Sequence, residues 1–479
     1  MTFKVFFSIS GTLHLLLALL LLPPLIWCWD QQLGKHFIFT SIATALIGIV
    51  FRRIGKGAPK ILMPRDALAI VAYSWFALSM VGALPYWQSH AIPSFADAWF
   101  ESVSGFTTTG STILSDIESL PQGLHFWRTL THWIGGLGVV VLFVSVFPAL
   151  GVGGKNLFKM EVPGPITESV TPKIKDTSRN LWYTYLLLTA VEALLLWFSG
   201  MSWFDALTHS FATMATGGFS TKNASIAHFN SPTIEWIIIV FMFLAGANFG
   251  LYYMLTKKQW RSVLKDAELR FYAILTLLAS GFIALMLFLE KGYDVHRAIR
   301  SAIFQVIALI TTTGFASDDF ELYPVATHLV LFFLLFTGGC AGSTAGGIKL
   351  FRIVLIGKTL FHELELSFRP SLVSKIRVGN TIISNDLIRT VLAFVGVYFA
   401  FITFGALCLG LEGHDMLTSM TAAMTAVGNV GPGFGTIGPT ENFAHFSSPA
   451  KILLAFLMLL GRLEFFTLLG LLHWKFWKR

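Results

Sequence analysis

Apolar residues fall in long runs near positions 5–29, 37–51, 67–84, 130–150, 181–199, 234–255, 271–289, 325–356, 390–411 and 452–474, divided by polar or basic stretches. Crossing a bilayer takes roughly 20 apolar residues in a helix, so these runs predict ten membrane spans. After the first two, the spans fall into four pairs. Between the members of each pair lies a semi-apolar segment too short or too polar to cross, such as 205–215 or 297–310, and each of these ends in a small glycine-bearing loop. The loops read T-T-T-G at 107–110, A-T-G-G-F at 215–219, T-T-G-F at 312–315 and, more loosely, N-V-G-P at 429–432. The recurring unit is therefore helix, re-entrant half-helix and loop, helix. Non-helical backbone is tolerated at membrane depth only where protein or a water-filled cavity surrounds it.

Taking Gly110, Gly217, Gly314 and Gly431 as equivalents gives intervals of 107, 97 and 117 residues. These are too long for a solenoid repeat and suit four fused copies around one axis. The expected fold is an all-α polytopic membrane protein with a pseudo-fourfold pore and two extra N-terminal helices. In residues, this divides into the N-terminal helices at 1–62 and pore repeats at 63–152, 153–258, 259–360 and 361–479.

Composition agrees with a membrane protein: 54% of residues are hydrophobic and 13% charged, against about 25% charged in soluble domains. The apolar run after Lys4 is longer than a signal-peptide core and has no A-x-A site behind it, so a retained first helix is expected. Cys28, Cys340 and Cys408 have no metal-ligand spacing, and their odd number leaves no complete disulfide set, so they read as small packing residues. Of the 34 Lys and Arg, 26 lie at Lys4, in 51–66, 151–180, 257–270 and 349–389, and in the tail 475–479. All six places fall on one side of a ten-span topology, which the positive-inside rule makes cytoplasmic. Both termini are then inside, the glycine loops open outside, and the net charge of +8 reflects topology and not a nucleic-acid partner.

Loops of the T-T-G type present successive backbone carbonyls, and rings of such oxygens replace the hydration shell of a monovalent cation. A half-helix ending at its loop adds its C-terminal partial negative charge. The absence of carboxylates in the loops argues against calcium. The candidate ion-binding residues are Thr108, Thr109 and Gly110; Ala215, Thr216 and Gly217; Thr312, Thr313 and Gly314; and Asn429, Val430 and Gly431. Asp97, Asp205, Asp294 and Asp415 precede the half-helices or sit in their first turn, where helix capping is favoured over attraction of cations to the outer mouth.

The run 337–347, T-G-G-C-A-G-S-T-A-G-G, puts five glycines inside one apolar segment. Each costs a helix about 1 kcal/mol relative to Ala, so the span should break there. Ile348 and Lys349 follow Gly347 where a nucleotide loop requires Lys then Ser or Thr. Two readings stand, close packing through small residues and a plug in the permeation path, with the plug preferred. Arg462 and Glu464 lie among Leu and Phe in the last span and should face a cavity or partner, given the cost of a membrane-buried charge. Glu192 and Asn248 are lesser cases, with packing favoured for Glu192. A membrane-embedded transferase would need clustered His, Asp or Glu, and the sequence shows none; no metal-binding histidine spacing occurs either.

Taken together, the four loops, the two extra helices, the glycine run and Arg462 resemble the Trk/Ktr/HKT superfamily of potassium transporters, most closely its bacterial Trk uptake subunits. The resemblance implies that Gly110, Gly217, Gly314 and Gly431 are filter glycines and that 338–347, with Gly338, Gly339, Gly342, Gly346 and Gly347, is an intramembrane gating loop. It also implies that Arg462 is the basic residue beside that gate. Glycine instead of serine at 110 points to potassium over sodium, and the fourth repeat departs most, with Asn429 and Val430 in place of two threonines. Further implications are a homodimer, a cytoplasmic nucleotide-binding regulatory ring of the TrkA type, and the bacterial cytoplasmic (inner) membrane. No covalently bound cofactor is implied; potassium is the substrate, with rubidium as its analogue. A channel mechanism and symport with sodium or protons remain open at this point.

Overall fold

A computed structural model describes residues 3–28, 31–59, 64–136, 138, 174–371, 375–379 and 381–474. Helices Phe3–Leu20 and Gln31–Ile54 form an N-terminal hairpin, turned by the 3-10 segment Pro23–Trp27. The hairpin packs against the first repeat. Its helices meet through small residues: a Cβ on Gly11 would lie 2.6 Å from Arg52 N, and one on Gly48 would lie 3.0 Å from Leu15 N. Such close approach is how membrane helices gain contact where lipid removes the hydrophobic drive.

Outer helices Pro64–Gln88, Ile174–Phe198, Ala267–Lys291 and Asn385–Leu411 open the four repeats. Each is followed by a short pore helix, Phe95–Phe106, Trp203–Met214, Val295–Ile310 and Met416–Gly428, of 12, 12, 16 and 13 residues. None of these is long enough to cross. The acidic residues near their starts are caps, in two forms. Asp294 and Asp415 are themselves N-caps, accepting from the amides of Arg297 (2.9 Å) and Thr418 (3.0 Å). Asp97 and Asp205 sit three residues inside, with Ser94 and Ser202 as caps. The Thr418 side chain and amide hold the Asp415 carboxyl below its ordinary range, as bonds to a charged acceptor do.

Inner helices Gln122–Gly136, Pro232–Gly246, Val325–Leu334 and Ser448–Arg462 close the repeats. Each of three packs on the pore helix of the next repeat: Gln122–Gly136 on Trp203–Met214, Pro232–Gly246 on Val295–Ile310, and Ser448–Arg462 on Phe95–Phe106. The chain thus runs around an axis.

Among the described residues six helices are long and apolar enough to span, and two bent pairs pass the same test. Gln122–Gly136, whose predicted continuation to 150 lies outside the described residues, and Val325–Leu334 take the remaining places of the ten. Two expectations are corrected here. The runs 234–255 and 452–474 are not continuous helices: the first bends by 94° between Gly246 and Phe249, the second by 111° between Arg462 and Phe466. At the first bend Asn248 starts a new helix, its side chain accepting from Gly250 N at 2.8 Å. At the second, Glu464 and Phe465 take positive φ. The glycine run breaks the third inner segment as expected, and the chain resumes as helix Leu350–Phe368. Outward side chains are apolar, among them Phe198, Leu277 and Leu411, as a lipid-facing surface requires.

Candidate functional site: a carbonyl ring with a loop beneath it

The four pore helices end alike. The residue two past each helical end has a left-handed backbone: Thr108 (φ 56°), Thr216 (53°), Thr312 (56°) and, one residue past its helix, Asn429 (53°). The next amide reaches five residues back, Thr109 N to Ser104 O (2.9 Å), Gly217 N to Ala212 O (2.9 Å), Thr313 N to Ala308 O (2.8 Å) and Val430 N to Thr425 O (3.0 Å). This is the Schellman closure of a helix C-terminus, which normally takes glycine at the left-handed position. Positive φ returns two residues later, at Gly110, Gly218, Gly314 and Gly431.

That pattern corrects the second repeat. Gly218, not Gly217, is the counterpart of Gly110, and Gly217 stands where Thr109 stands; Ala215 corresponds to Thr107 at the helix end. The A-T-G-G string holds two glycines, and matching by string aligned the first. The Asn429–Val430–Gly431 register of the fourth repeat agrees with the geometry.

The loops close on one another in order. A Cβ placed on Gly110 would overlap the carbonyl oxygen of Gly217, one on Gly218 that of Thr313, and one on Gly314 that of Val430; one on Gly431 would lie 2.8 Å from the oxygen of Thr109. The carbonyls of Thr109, Gly217, Thr313 and Val430 therefore form a ring, each against the glycine of its neighbour. All four of Gly110, Gly218, Gly314 and Gly431 line one outer cavity of about 100 Å³. The ring is fourfold in backbone but twofold in side chains. Thr107 and Thr311 hydroxyls bond those of Thr109 and Thr313 at 2.7 Å, whereas repeats two and four carry Ala215 with Gly217 and Gly428 with Val430. Asn429 compensates by reaching across: its Nδ2 donates to Thr109 Oγ1 and Met458 O, both at 3.0 Å.

Residues 335–349 fold directly against this ring. Gly346 N donates to Thr312 Oγ1 (2.7 Å), Gly347 N to Gly428 O (2.8 Å) and Thr344 Oγ1 to Met214 O (3.1 Å). Three pore-helix ends are thus capped from below. Gly338 N bonds Ile348 O (2.8 Å), closing the loop's neck, and Gly339 O accepts from Leu350 N (3.2 Å). The broken helix of repeat two holds the other side, with Cys340 N on Gly246 O (2.8 Å) and Phe249 N on Gly342 O (3.1 Å). The glycines are needed for approach as much as for unwinding, since a Cβ on Gly338 would overlap Gly346 O and one on Gly346 would overlap Gly428 O. Close packing through small residues is thus what seats the run against the ring. Arg462, at the break of the last inner helix, donates to Thr344 O (3.1 Å), to Gly136 O (3.1 Å) and to Gly135 O. A cavity of about 70 Å³ between ring and break is lined by Asn429, Ser343, Thr344, Lys349, Arg462 and Glu464.

The sequence profile of the TrkH family, described as "Cation transport protein", matches residues 31–474. The chain belongs to the TrkH family. It is 37% identical to the Trk system potassium uptake protein TrkH of Salmonella typhimurium and 36% identical to that of Escherichia coli K12, each over the full length of both chains. It is 35% identical to the Trk system potassium uptake protein TrkG of Escherichia coli K12 over 99% of each chain. The crystal structure of the potassium transporter TrkH from Vibrio parahaemolyticus superposes with a TM-score of 0.88 at 33% identity, covering both chains completely.

Sequence reasoning missed a set of residues that brace the ring in this TrkH-family chain. Glu101, fully buried, accepts from Arg128 Nε (2.6 Å), Thr112 Oγ1 (3.0 Å) and Ile113 N (3.0 Å). Arg128 also donates to Ser220 O (2.9 Å) and stacks 3.6 Å over the Phe219 ring, so one ion pair ties the outgoing strands of repeats one and two. In the corrected register Glu101, His209 and Gln305 all lie nine residues before their filter glycine. His209 Nε2 pairs with Ser220 Oγ at 2.9 Å, and Gln305 Nε2 donates to Asp318 O at 3.0 Å. The signal available was a polar residue at one fixed place in three of the four apolar half-helices, the fourth carrying Ala422 there. It becomes visible once Gly218 replaces Gly217.

Proposed function

We propose that the chain is a potassium-uptake pore of a bacterial cytoplasmic membrane, in which the carbonyl ring selects the ion and the loop 338–347 with Arg462 limits its passage. The observation that carries this reading is the closed ring of Thr109, Gly217, Thr313 and Val430 carbonyls at the C-terminal ends of four pore helices. Such a ring offers a dehydrated monovalent cation oxygens in place of water, and four helix ends add partial negative charge toward it. The strained left-handed threonines support the same role, since such conformations, costing of order 1–3 kcal/mol each, cluster at functional sites. The names of the relatives supply the ion.

Below the ring the loop spans the path and Arg462 places a fixed positive charge beside it, an electrostatic barrier to a cation. The basic segments 51–66, 257–270 and 349–389 support a cytoplasmic location for this side by the positive-inside rule, with the ring open to the outside. A membrane potential supplies about 2.3 kcal/mol per charge per 100 mV, or roughly fifty-fold accumulation at about 1.4 kcal/mol per tenfold, so uptake needs no second ion. The reading is of a transporter and not an enzyme. The family resemblance adds a homodimer and a nucleotide-binding ring of the TrkA type on the cytoplasmic face as the source of control.

The test is rubidium uptake by the purified protein in proteoliposomes with an imposed inside-negative potential. Saturable flux that competes with potassium over sodium supports the proposal; voltage-independent or absent flux, in protein that is monodisperse and reconstituted, overturns it.

A further inference from the structure

Glu268 stands outside the ring, the loop and the Arg462 break, and neither composition nor motif drew attention to it. It is the second residue of outer helix Ala267–Lys291, whose start is fixed by Asp266 accepting from Leu269 N at 2.8 Å. Its side chain is buried. One oxygen, Oε1, accepts two backbone amides: Ala341 N at 2.7 Å and Phe351 N at 2.8 Å. Ala341 is inside the glycine-rich run, and Phe351 lies in the first turn of the helix that leaves it. A single carboxylate thus grips both limbs of the loop.

The second of these bonds fills a gap. Helix Leu350–Phe368 has Lys349 at its cap position, with no side-chain cap bond, and the first amides of a helix lack partners of their own. The carboxyl oxygen at that end satisfies one of them. Because the same oxygen also holds Ala341, helix Leu350–Phe368 cannot draw away from helix Ala267–Lys291 without releasing the loop.

We infer that Glu268 is the latch of the intramembrane loop: a positioning residue that holds 338–347 shut by joining its limb at Ala341 to the start of helix Leu350–Phe368. This rests on the reading of that loop as the barrier. Release of the latch frees the loop and its bonds to the pore-helix ends, while the backbone closures that shape the carbonyl ring lie within the pore segments themselves and stay in place; Glu268 bonds no residue of the ring.

The experiment uses the full-length protein in proteoliposomes without any cytoplasmic partner, in a background carrying Cys28→Ser and Cys408→Ser. Cys340, buried within the loop, is then the single thiol. Two quantities are read: rubidium flux with its preference over sodium, and the rate at which a membrane-impermeant maleimide modifies Cys340 in the resting protein. Glu268→Ala should raise both about tenfold, the factor that about 1.4 kcal/mol gives, with the rubidium-to-sodium preference unchanged. Glu268→Gln, which keeps an acceptor oxygen, should give a smaller rise, and Glu268→Asp, one methylene too short to reach both amides, an intermediate one. Parental flux and labelling in folded Glu268→Ala overturn the inference, as does a rise accompanied by loss of ion preference, or a Glu268→Gln variant as leaky as Glu268→Ala. Should Glu268→Ala fail to fold, Glu268→Asp decides by the same criterion. Deletion of 338–347 separates the two levels: unchanged flux there defeats the barrier itself, whereas raised flux there with parental Glu268→Ala defeats only the latch.

Discussion

Thr108, Thr216 and Thr312 hold left-handed backbone angles that β-branched side chains ordinarily avoid, and glycine, the easy choice, is placed two residues later instead. The reason is visible at Gly110, Gly218 and Gly314, where no Cβ fits against the neighbouring carbonyl. Gly110→Ser therefore does more than add a hydroxyl: its Cβ must displace the Gly217 carbonyl from the ring. We expect a several-fold loss of potassium over sodium preference, read as a shift of reversal potential; an unshifted reversal potential would remove Gly110 from the filter. The buried Glu101–Arg128 pair makes a second expectation. Arg128→Met leaves a carboxylate buried without its partner, and breaking a buried pair costs about 3–5 kcal/mol. Its thermal midpoint in detergent should fall well below that of the double variant Glu101→Met with Arg128→Met, which removes both charges. Equal midpoints for the single and double variants would show that the pair does not brace these strands.

At the scale of elements, the inner helices of repeats two, three and four are all interrupted on the same side of the ring, and each interruption has a use. Gly246 and Phe249 at the first break hold the loop by backbone bonds, residues 335–349 at the second are the loop, and Arg462 at the third secures Thr344. A continuous helix offers no free carbonyl or amide in its middle, so a break is what lets one segment bond another at membrane depth. Arg462→Ala removes both the charge and the bond to Thr344 O and should raise rubidium flux several-fold. Deleting 338–347 should raise it further, since the deletion also clears the path. Flux assays in proteoliposomes check both, and parental rates in the two variants together would move the barrier elsewhere.

For the whole molecule, three of the four pore helices are steadied by the preceding repeat, and the cyclic packing of Gln122–Gly136, Pro232–Gly246 and Ser448–Arg462 on the next repeat's pore helix helps turn four loops into one ring. On the proposed reading, a ring of fixed carbonyls with a barrier beneath it should conduct down the electrochemical gradient of a single ion. At clamped voltage, rubidium uptake should be indifferent to sodium and to external pH. A flux that scales with either gradient would make the molecule a coupled symporter.

Membrane class, the four repeats, the glycine break in the third inner helix and the exposed logic of Arg462 were legible in the chain alone, because hydropathy and glycine placement act locally and leave a mark on every few residues. The register of the second repeat was not, since A-T-G-G reads two ways until the Gly217 carbonyl is seen against Gly110. Nor were the bends at Asn248 and Glu464: Asn248, Arg462 and Glu464 stand out as polar residues in apolar runs, but polarity alone does not say that the helix turns there, and the freed backbone groups find their use only in a loop distant in sequence. Glu101 with Arg128, and Glu268 with Ala341 and Phe351, are pairings across 27, 73 and 83 residues. Sequence carries periodicity and local preference; which buried charge meets which backbone amide is decided only when the repeats close around their axis.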